Sequence, residues 1–342
     1  MKAIRKLEKG VGAEYVDLPT PEIAADEVLV KVEATALCKS DVDVYNWTPV
    51  VQGLTLPLPI TMGHEFMGEV VETGAYVKGL TAGDRVVGET HIPCNHCHVC
   101  LAGHPHICAN NMGVIGRNID GSFAEYIKIP EIAAIKMDLP AEQGAVMEPM
   151  ATALHGLTKG EVSGKTIAVL GCGTIGLMSI ELAKIMGAAK VIALSTTDEK
   201  LAKASQLGAD RVVNGKTEDL VEVIMEETKG QGVDLALEYT GSQTVINQMI
   251  LSMRTAGTCV MIGMIDKPLT LENYMLKAVY KELVITGIFG RRIYQTWELL
   301  KAILETGRID VSQYVCDTFA LADFEKAIKA SKSVPGRIIL KP

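Results

Sequence analysis

The sequence predicts an α/β protein with a mostly β region followed by a doubly wound parallel sheet. Three observations predict it. Short apolar runs broken by glycine and proline turns fill the first part of the chain, as in Val28-Leu29-Val30-Lys31-Val32 and Arg85-Val86-Val87. A four-cysteine loop, Cys94-x2-Cys97-x2-Cys100-x7-Cys108, lies inside that part. From Lys165 onward, apolar strand runs alternate with helical segments, which is the pattern of a parallel sheet with crossover helices.

Composition bounds the class. The 342 residues are 48% hydrophobic and include 32 glycines, enough for two compact domains with many tight turns. Lys and Arg number 33 against 41 Asp and Glu, a net charge of -8, and no basic run would track a phosphate backbone. Nucleic acid is therefore excluded as an expected partner. The charged start Met1-Lys2-Ala3-Ile4-Arg5 lacks the apolar core of a signal peptide, and no run of about 18 apolar residues suits a membrane span. A cytoplasmic protein with no membrane partner is expected. Half of the eight cysteines crowd into one loop, which suits metal binding better than disulfides.

In chain order, β structure runs to about Ala36, and Cys38-Lys39-Ser40-Asp41-Val42-Asp43 follows on a short helix before Tyr45-Asn46-Trp47. Gly63-His64-Glu65 comes next. Thiolate, imidazole and carboxylate brought together form a zinc ligand set with one position left open, which points to a catalytic metal. Taken alone, the triplet is weak, because a single His beside an acid is usually a satisfied surface or core residue. Strands resume at Glu69-Val70-Val71-Glu72. The cysteine loop can wrap one structural zinc through Cys94, Cys97, Cys100 and Cys108. His96, His98, His104 and His106 could compete as ligands, but four thiolates already fill the shell, so exposed loop positions are expected for them. Glu148-Pro149 opens a helix through Leu157, where Glu148 reads either as an acid favoured by the helix dipole or as a functional group at a domain hinge.

Lys165 to Leu170 then reads as a buried strand, followed by Gly171-x-Gly173-x-x-Gly176 and a helix from about Leu177 to Met186. This is the strand, turn and helix that lays a pyrophosphate on backbone N–H groups. Runs at Val191 to Leu194, Val233 to Leu237, Cys259 to Ile262 and Leu283 to Ile285 continue the sheet. Helices at Trp297 to Thr306 and Leu321 to Ser331, and a strand at Gly336 to Leu340, return to the first domain. The expected division is 1–150 with 294–342, and 151–293.

Assembled, these residues resemble the zinc-dependent medium-chain alcohol dehydrogenases over essentially the whole chain. Cys38, His64, Glu65 and Glu148 match that family's catalytic-zinc region, the four loop cysteines its structural-zinc lobe, and Gly171, Gly173 and Gly176 its cofactor turn. The resemblance implies a GroES-like catalytic domain, a Rossmann cofactor domain, two Zn2+ per chain, NAD(P)+, a small-molecule alcohol substrate and a homotetramer. It also implies that Glu65 and Glu148 alternate as metal ligands, that Asp41 orients His64, and that Ser40 begins a proton relay. Asp43 stands where a relay histidine is common. The implied cofactor contacts extend to Ile175, Ser195, Thr196, Lys200, Ile262, Gly263, Met264, Ile288 and Phe289. Asp198, beyond Ser195, reads as a turn or helix-cap residue.

Within the family, Tyr45-Asn46-Trp47, Gly88-Glu89-Thr90-His91-Ile92, Gly121 to Tyr126 and Gly287 to Arg291 with Thr296-Trp297 resemble the L-threonine 3-dehydrogenases. That likeness implies oxidation of L-threonine to 2-amino-3-oxobutanoate, with His91 beside the substrate. Ala151-Thr152-Ala153-Leu154 departs from the Gly-Asn-Ala-Val of that subfamily, so a sorbitol, galactitol-phosphate or butanediol type of dehydrogenase is the alternative. A zinc-stabilised quinone or enone reductase without a catalytic metal, or a non-catalytic NAD(P)-binding protein, is a minor one. Ser195 lacks the acid that holds the ribose hydroxyls of NAD, so NADP is expected to be tolerated or preferred, unless Lys200 is only a solvated helix residue.

Overall fold

The computed structural model describes residues 1–110, 113–265, 267–331 and 334–342. It divides into two units, 1–149 with 290–305 and 310–342, and 150–289 with 306–309.

In the first unit the strand Glu27–Ala36 is the spine. Its alternating and continuous apolar residues pair antiparallel with Glu65–Thr73 and Tyr126–Pro130, and further along with Arg337–Lys341. The sheet runs in the order Ala134–Lys136, Arg85–Gly88, Glu65–Thr73, Glu27–Ala36, Arg337–Lys341, Val315–Ala320. A smaller sheet joins Glu14–Asp17, Lys2–Lys6 and Ile60–Thr61. Two apolar clusters fill the unit, one around Val28, Val30, Phe66 and Val86, the other around Ile4, Leu37, Phe123 and Phe324. Burial of these side chains at about 1.5–3 kcal/mol each is the main force holding the strands in register. The register places Ala36 opposite Glu65, so the ends of two neighbouring strands deliver Cys38 and His64-Glu65 to one rim.

In the second unit six parallel strands take the order Arg211–Asn214, Lys190–Ser195, Thr166–Leu170, Val233–Glu238, Met253–Met261, Val284–Gly287. The near-continuous apolar runs of the central strands are buried on both faces, as parallel sheets require. Several details differ from the sequence reading, among them the strand Val284–Gly287 read at Leu283 to Ile285, the helix Gln295–Glu305 read at Trp297 to Thr306 and the helix Phe324–Ala330 read at Leu321 to Ser331. The helix after the glycine turn begins at Thr174 rather than about Leu177, because Gly173 already stands in the extended N-cap conformation. The strand read at Cys259 to Ile262 starts earlier, at Met253, through the polar stretch Arg254-Thr255. Asp198 is the first residue of the helix Asp198–Gln206 while Thr197 occupies the cap, so Asp198 is a first-turn acid and not the cap; its Oδ1 accepts from Asn214 Nδ2 at 2.9 Å.

Candidate active site

The helix Lys39–Asn46 starts at Cys38, whose backbone is extended, and Asp41 folds back so that its Oδ2 accepts from the Cys38 N–H at 3.0 Å. The other oxygen of Asp41 lies 3.3 Å from His64 Nδ1, without the alignment of a hydrogen bond. One buried carboxylate thus steadies both residues. His64 is aimed by Gly63, whose φ of +90° favours glycine and whose Cβ, if present, would fall 2.2 Å from the Phe123 ring. Donor atoms of Cys38, His64 and Glu65 all lie within 4.8 Å of one another. Burial works against a charged His64, but Asp41 and Cys38 beside it outweigh burial and raise its pKa well above the ordinary value.

Two buried arginines close over this centre. Arg337 Nε and Nη2 donate to the two oxygens of Glu65, each at 2.7 Å, and Arg337 Nη2 is 3.9 Å from Cys38 Sγ. Arg291 donates to Glu148, and Thr90 Oγ1 donates to the same Glu148 oxygen at 3.0 Å. Glu148 stands in the first turn of the helix Met147–Leu157 and is not one of the three grouped donors. Arg291 also holds Glu89, through Nε at 3.1 Å and through Nη2, while Trp297 Nε1 donates to Glu89 at 2.7 Å. Burial opposes ionisation of Glu89, yet Arg291 above all holds its carboxyl down to about 2. His91 Nδ1 meets Arg291 Nη2 at 3.0 Å, and burial lowers the imidazole pKa. Ser40 lies half-buried two residues past Cys38, whereas the Asp43 carboxylate is committed to Lys39 Nζ at 2.5 Å.

In the cysteine lobe the four sulfurs lie within 4.8 Å of one another, and Cys97 and Cys108 stand 3.9 Å apart, far beyond a disulfide bond. Backbone N–H groups of Cys97 and Cys100 point at the sulfurs of Cys94 and Cys97, at 3.3 and 3.4 Å. Donation from the Cys100 N–H pulls the Cys97 thiol down to about 5. His96, His98 and His104 are exposed, but His106 is buried in the short helix Pro105–Ile107, contrary to the expectation of exposure. Its ring packs edge-on to His104 in a tight turn.

The cofactor candidates lie along the carboxyl edge of the parallel strands, in the second unit. Gly171 has φ +108°, and a Cβ on Gly176 would fall 2.0 Å from the Gly171 carbonyl oxygen, so the turn admits no side chain there. Ile175 is half-buried in the first helical turn. Ser195, buried, ends its strand next to exposed Thr196; Ile262, Gly263 and Met264 follow one strand and Ile288 and Phe289 another. Burial pushes the Cys172 thiol up to about 12, against the pull of the Lys200 ammonium, so Lys200 lies within electrostatic reach of the glycine turn.

The family described as "Alcohol dehydrogenase GroES-like domain" matches residues 24–140, and that described as "Zinc-binding dehydrogenase" matches 174–305. An L-threonine 3-dehydrogenase from Caldanaerobacter subterraneus subsp. tengcongensis is 39% identical, covering 100% of this chain and 99% of its own length. The chain belongs to the zinc-binding alcohol dehydrogenases. A zinc-binding dehydrogenase from Sinorhizobium meliloti, solved bound to NADP, superposes with a TM-score of 0.89 at 30% identity over 100% of this chain and 99% of its own. Galactitol-1-phosphate dehydrogenase from Escherichia coli does so at 0.89 and 29%, with both chains covered in full.

Both donor sets of this dehydrogenase fit zinc. One offers sulfur, nitrogen and carboxylate around a buried imidazole nitrogen lacking an aligned partner; the other offers four sulfurs, of which those of Cys94, Cys97 and Cys108 face backbone N–H donors. The residues that sequence reasoning missed are the supports. Arg337, Arg291 and Glu89 are charged yet all but fully buried, and Glu238 is a fourth such residue. Its carboxylate accepts from the N–H groups of Thr240 at 2.6 Å and Gly241 at 3.0 Å, fastening the loop that packs on Gly171. An arginine at the head of the apolar run Ile338-Ile339-Leu340 was the available signal for Arg337. Substituting Cys97 by Ser should loosen the lobe, lowering thermal stability and bound zinc from about two ions per chain to about one. Metal analysis with a melting curve checks this; an unchanged zinc content would remove the lobe site.

Proposed function

We propose that this dehydrogenase oxidises L-threonine at its β-hydroxyl to 2-amino-3-oxobutanoate, with NAD(P)+. The observation that carries the reading is one buried cluster: Glu89 and His91 from one segment bond to Arg291, and Trp297 of the same later segment bonds to Glu89. Both are segments in which the chain resembles the threonine enzymes, and the 39% identical relative bears that name. Zinc, when held by Cys38, His64 and Glu65 with Glu148 exchanging as a further ligand, supplies a Lewis acid for the substrate hydroxyl, and NAD(P)+ supplies the hydride acceptor. Asp41 keeps His64 oriented from behind. Arg337 balances the charge of Glu65, both side chains being buried. Ser40 receives the hydroxyl proton, and the route outward passes the Asp43–Lys39 pair, whose lysine is exposed. His91 recognises the substrate beside the reacting carbon.

A polyol or its phosphate is the second reading, favoured by the galactitol-1-phosphate dehydrogenase likeness and by Ala151-Thr152 beside Glu148. The test is a panel of L-threonine, sorbitol, butanediol and galactitol 1-phosphate, each with NAD and NADP, following nicotinamide absorbance. Threonine should give the highest specificity constant; a far higher one for a polyol or its phosphate overturns the first reading.

For the cofactor, Ser195 and Thr196 can donate to a 2′-phosphate and Lys200 adds charge, so NADP is accepted. Substituting Ser195 by Asp should lower the specificity constant for NADP relative to NAD by about tenfold or more, since a carboxylate there repels the phosphate and accepts from the ribose hydroxyls. An unchanged ratio, measured in parent and variant, would place selection elsewhere.

The edge strand Val284–Gly287, with Val284 at 52% and Ile285 at 39% exposure, leaves an apolar rim with open backbone groups. We take it as a surface for a second copy within a homotetramer. Five thiols that must stay reduced for metal binding favour a cytoplasmic location. No helix among the described residues is long and apolar enough to cross a membrane.

A further inference from the structure

Glu89 is completely buried, and four donors converge on its carboxylate: Arg291 Nε, Arg291 Nη2, Trp297 Nε1 and the backbone N–H of His91. None of these groups belongs to the trio Cys38, His64 and Glu65. What links Glu89 to the metal centre is Arg291. That guanidinium spends Nε and Nη2 on Glu89 and Nη1 on Glu148, so one cation is divided between two carboxylates. Thr90, the neighbour of Glu89 in sequence, donates to the same Glu148 oxygen. The charge of Glu65 also acts on Arg291, and the charge of Glu148 acts on Arg337, so Glu148 sits within the field of the whole centre.

We propose that Glu89 is a positioning residue: by sharing Arg291 with Glu148, it sets how readily Glu148 leaves the guanidinium for the catalytic metal. The inference rests on the reading above in which Glu148 exchanges as a metal ligand. Its physical basis is simple. A guanidinium already bound to one buried carboxylate holds a second less tightly than a guanidinium with nothing else to neutralise, because the first carboxylate cancels part of its field at short range in a water-poor site. With Glu89 ionised, the Arg291–Glu148 pair is weak enough to open. With Glu89 neutral, the full cation falls on Glu148 and keeps it from the metal. With Arg291 removed as well, Glu148 loses that guanidinium and turns to the metal.

The two states move metal retention in opposite directions, which a purely structural role for Glu89 would not do. Glu89→Gln preserves shape, and its single carbonyl oxygen still accepts from either Trp297 Nε1 or the His91 N–H. The double variant Glu89→Gln with Arg291→Met removes the buried charges together, so that neither is left uncompensated by the other. The experiment mixes zinc-loaded enzyme with an excess of a chromophoric chelator and follows zinc release. The phase that Cys38→Ala removes belongs to the catalytic site, separate from the cysteine lobe. In that phase Glu89→Gln should release zinc about tenfold faster than the parent, the scale seen when residues behind metal ligands are altered, and the double variant should release it more slowly than the parent. Any other pattern in that phase, including both variants moving the same way or neither moving, overturns the role of Glu89. If Cys38→Ala removes no phase, the metal reading fails and this inference fails with it.

Discussion

Replacing Cys38 or His64 by Ala should abolish alcohol oxidation while leaving NAD(P)H binding intact. Among the described residues each is one of three donors grouped at the centre, and Asp41 steadies each of them. Polarisation of a substrate oxygen by a metal contributes several kcal/mol of transition-state stabilisation, so about three decades or more in rate should disappear. The glycine turn belongs to the second unit, which has its own apolar core around Ala168, Ile192, Leu194 and Ile246. Cofactor affinity, read from nicotinamide fluorescence, should therefore stay within about twofold of the parent. Residual turnover above about a tenth of the parent, with normal cofactor binding, would show that the chemistry does not run through this donor set.

Substituting Arg337 by Ala should destabilise the first unit by about 3–5 kcal/mol, because it leaves the fully buried Glu65 carboxylate without its cation. The bidentate geometry matters, since a lysine could not serve both oxygens and approach the Cys38 sulfur together. The midpoint of urea unfolding measures the loss. Adding Glu65→Gln to the Arg337→Ala chain should restore much of it, as the uncompensated charge is then gone. A single variant no less stable than the parent would mean that Glu65 is protonated or solvated when alone.

How much of this was legible in the sequence depends on the range of the interaction that writes it. The parallel sheet was legible because each strand, such as Val233–Glu238, carries its own apolar run, and the glycine turn because Gly171 and Gly176 answer a demand made within six residues. The cysteine lobe was legible for the same reason, its sulfurs being brought together by a single loop. Arg337 and Glu65 were not legible as a pair, being 272 residues apart and united only by the strand pairing of Ile339 with Ala36 and of Ala36 with Glu65. The same holds for Arg291 and Glu148, 143 residues apart. His106 was misjudged because its burial comes from the folding of a turn, which periodicity does not register.

The strand Arg337–Lys341 has a consequence for the order of synthesis. It pairs with Glu27–Ala36, and Arg337 follows Cys38 by 299 residues, so a nascent chain displays Cys38, His64 and Glu65 long before their counter-cation exists. The second unit, whose main segment 150–289 is contiguous, can fold as it leaves the ribosome. The first must wait, its spine strand Glu27–Ala36 unpaired on the Arg337–Lys341 side and its acid unneutralised, until residues 337–341 have been translated. Arrival of that strand thus acts as a checkpoint on metal loading, and ribosome-stalled fragments ending before residue 337 should carry a folded second unit and an unfinished metal centre.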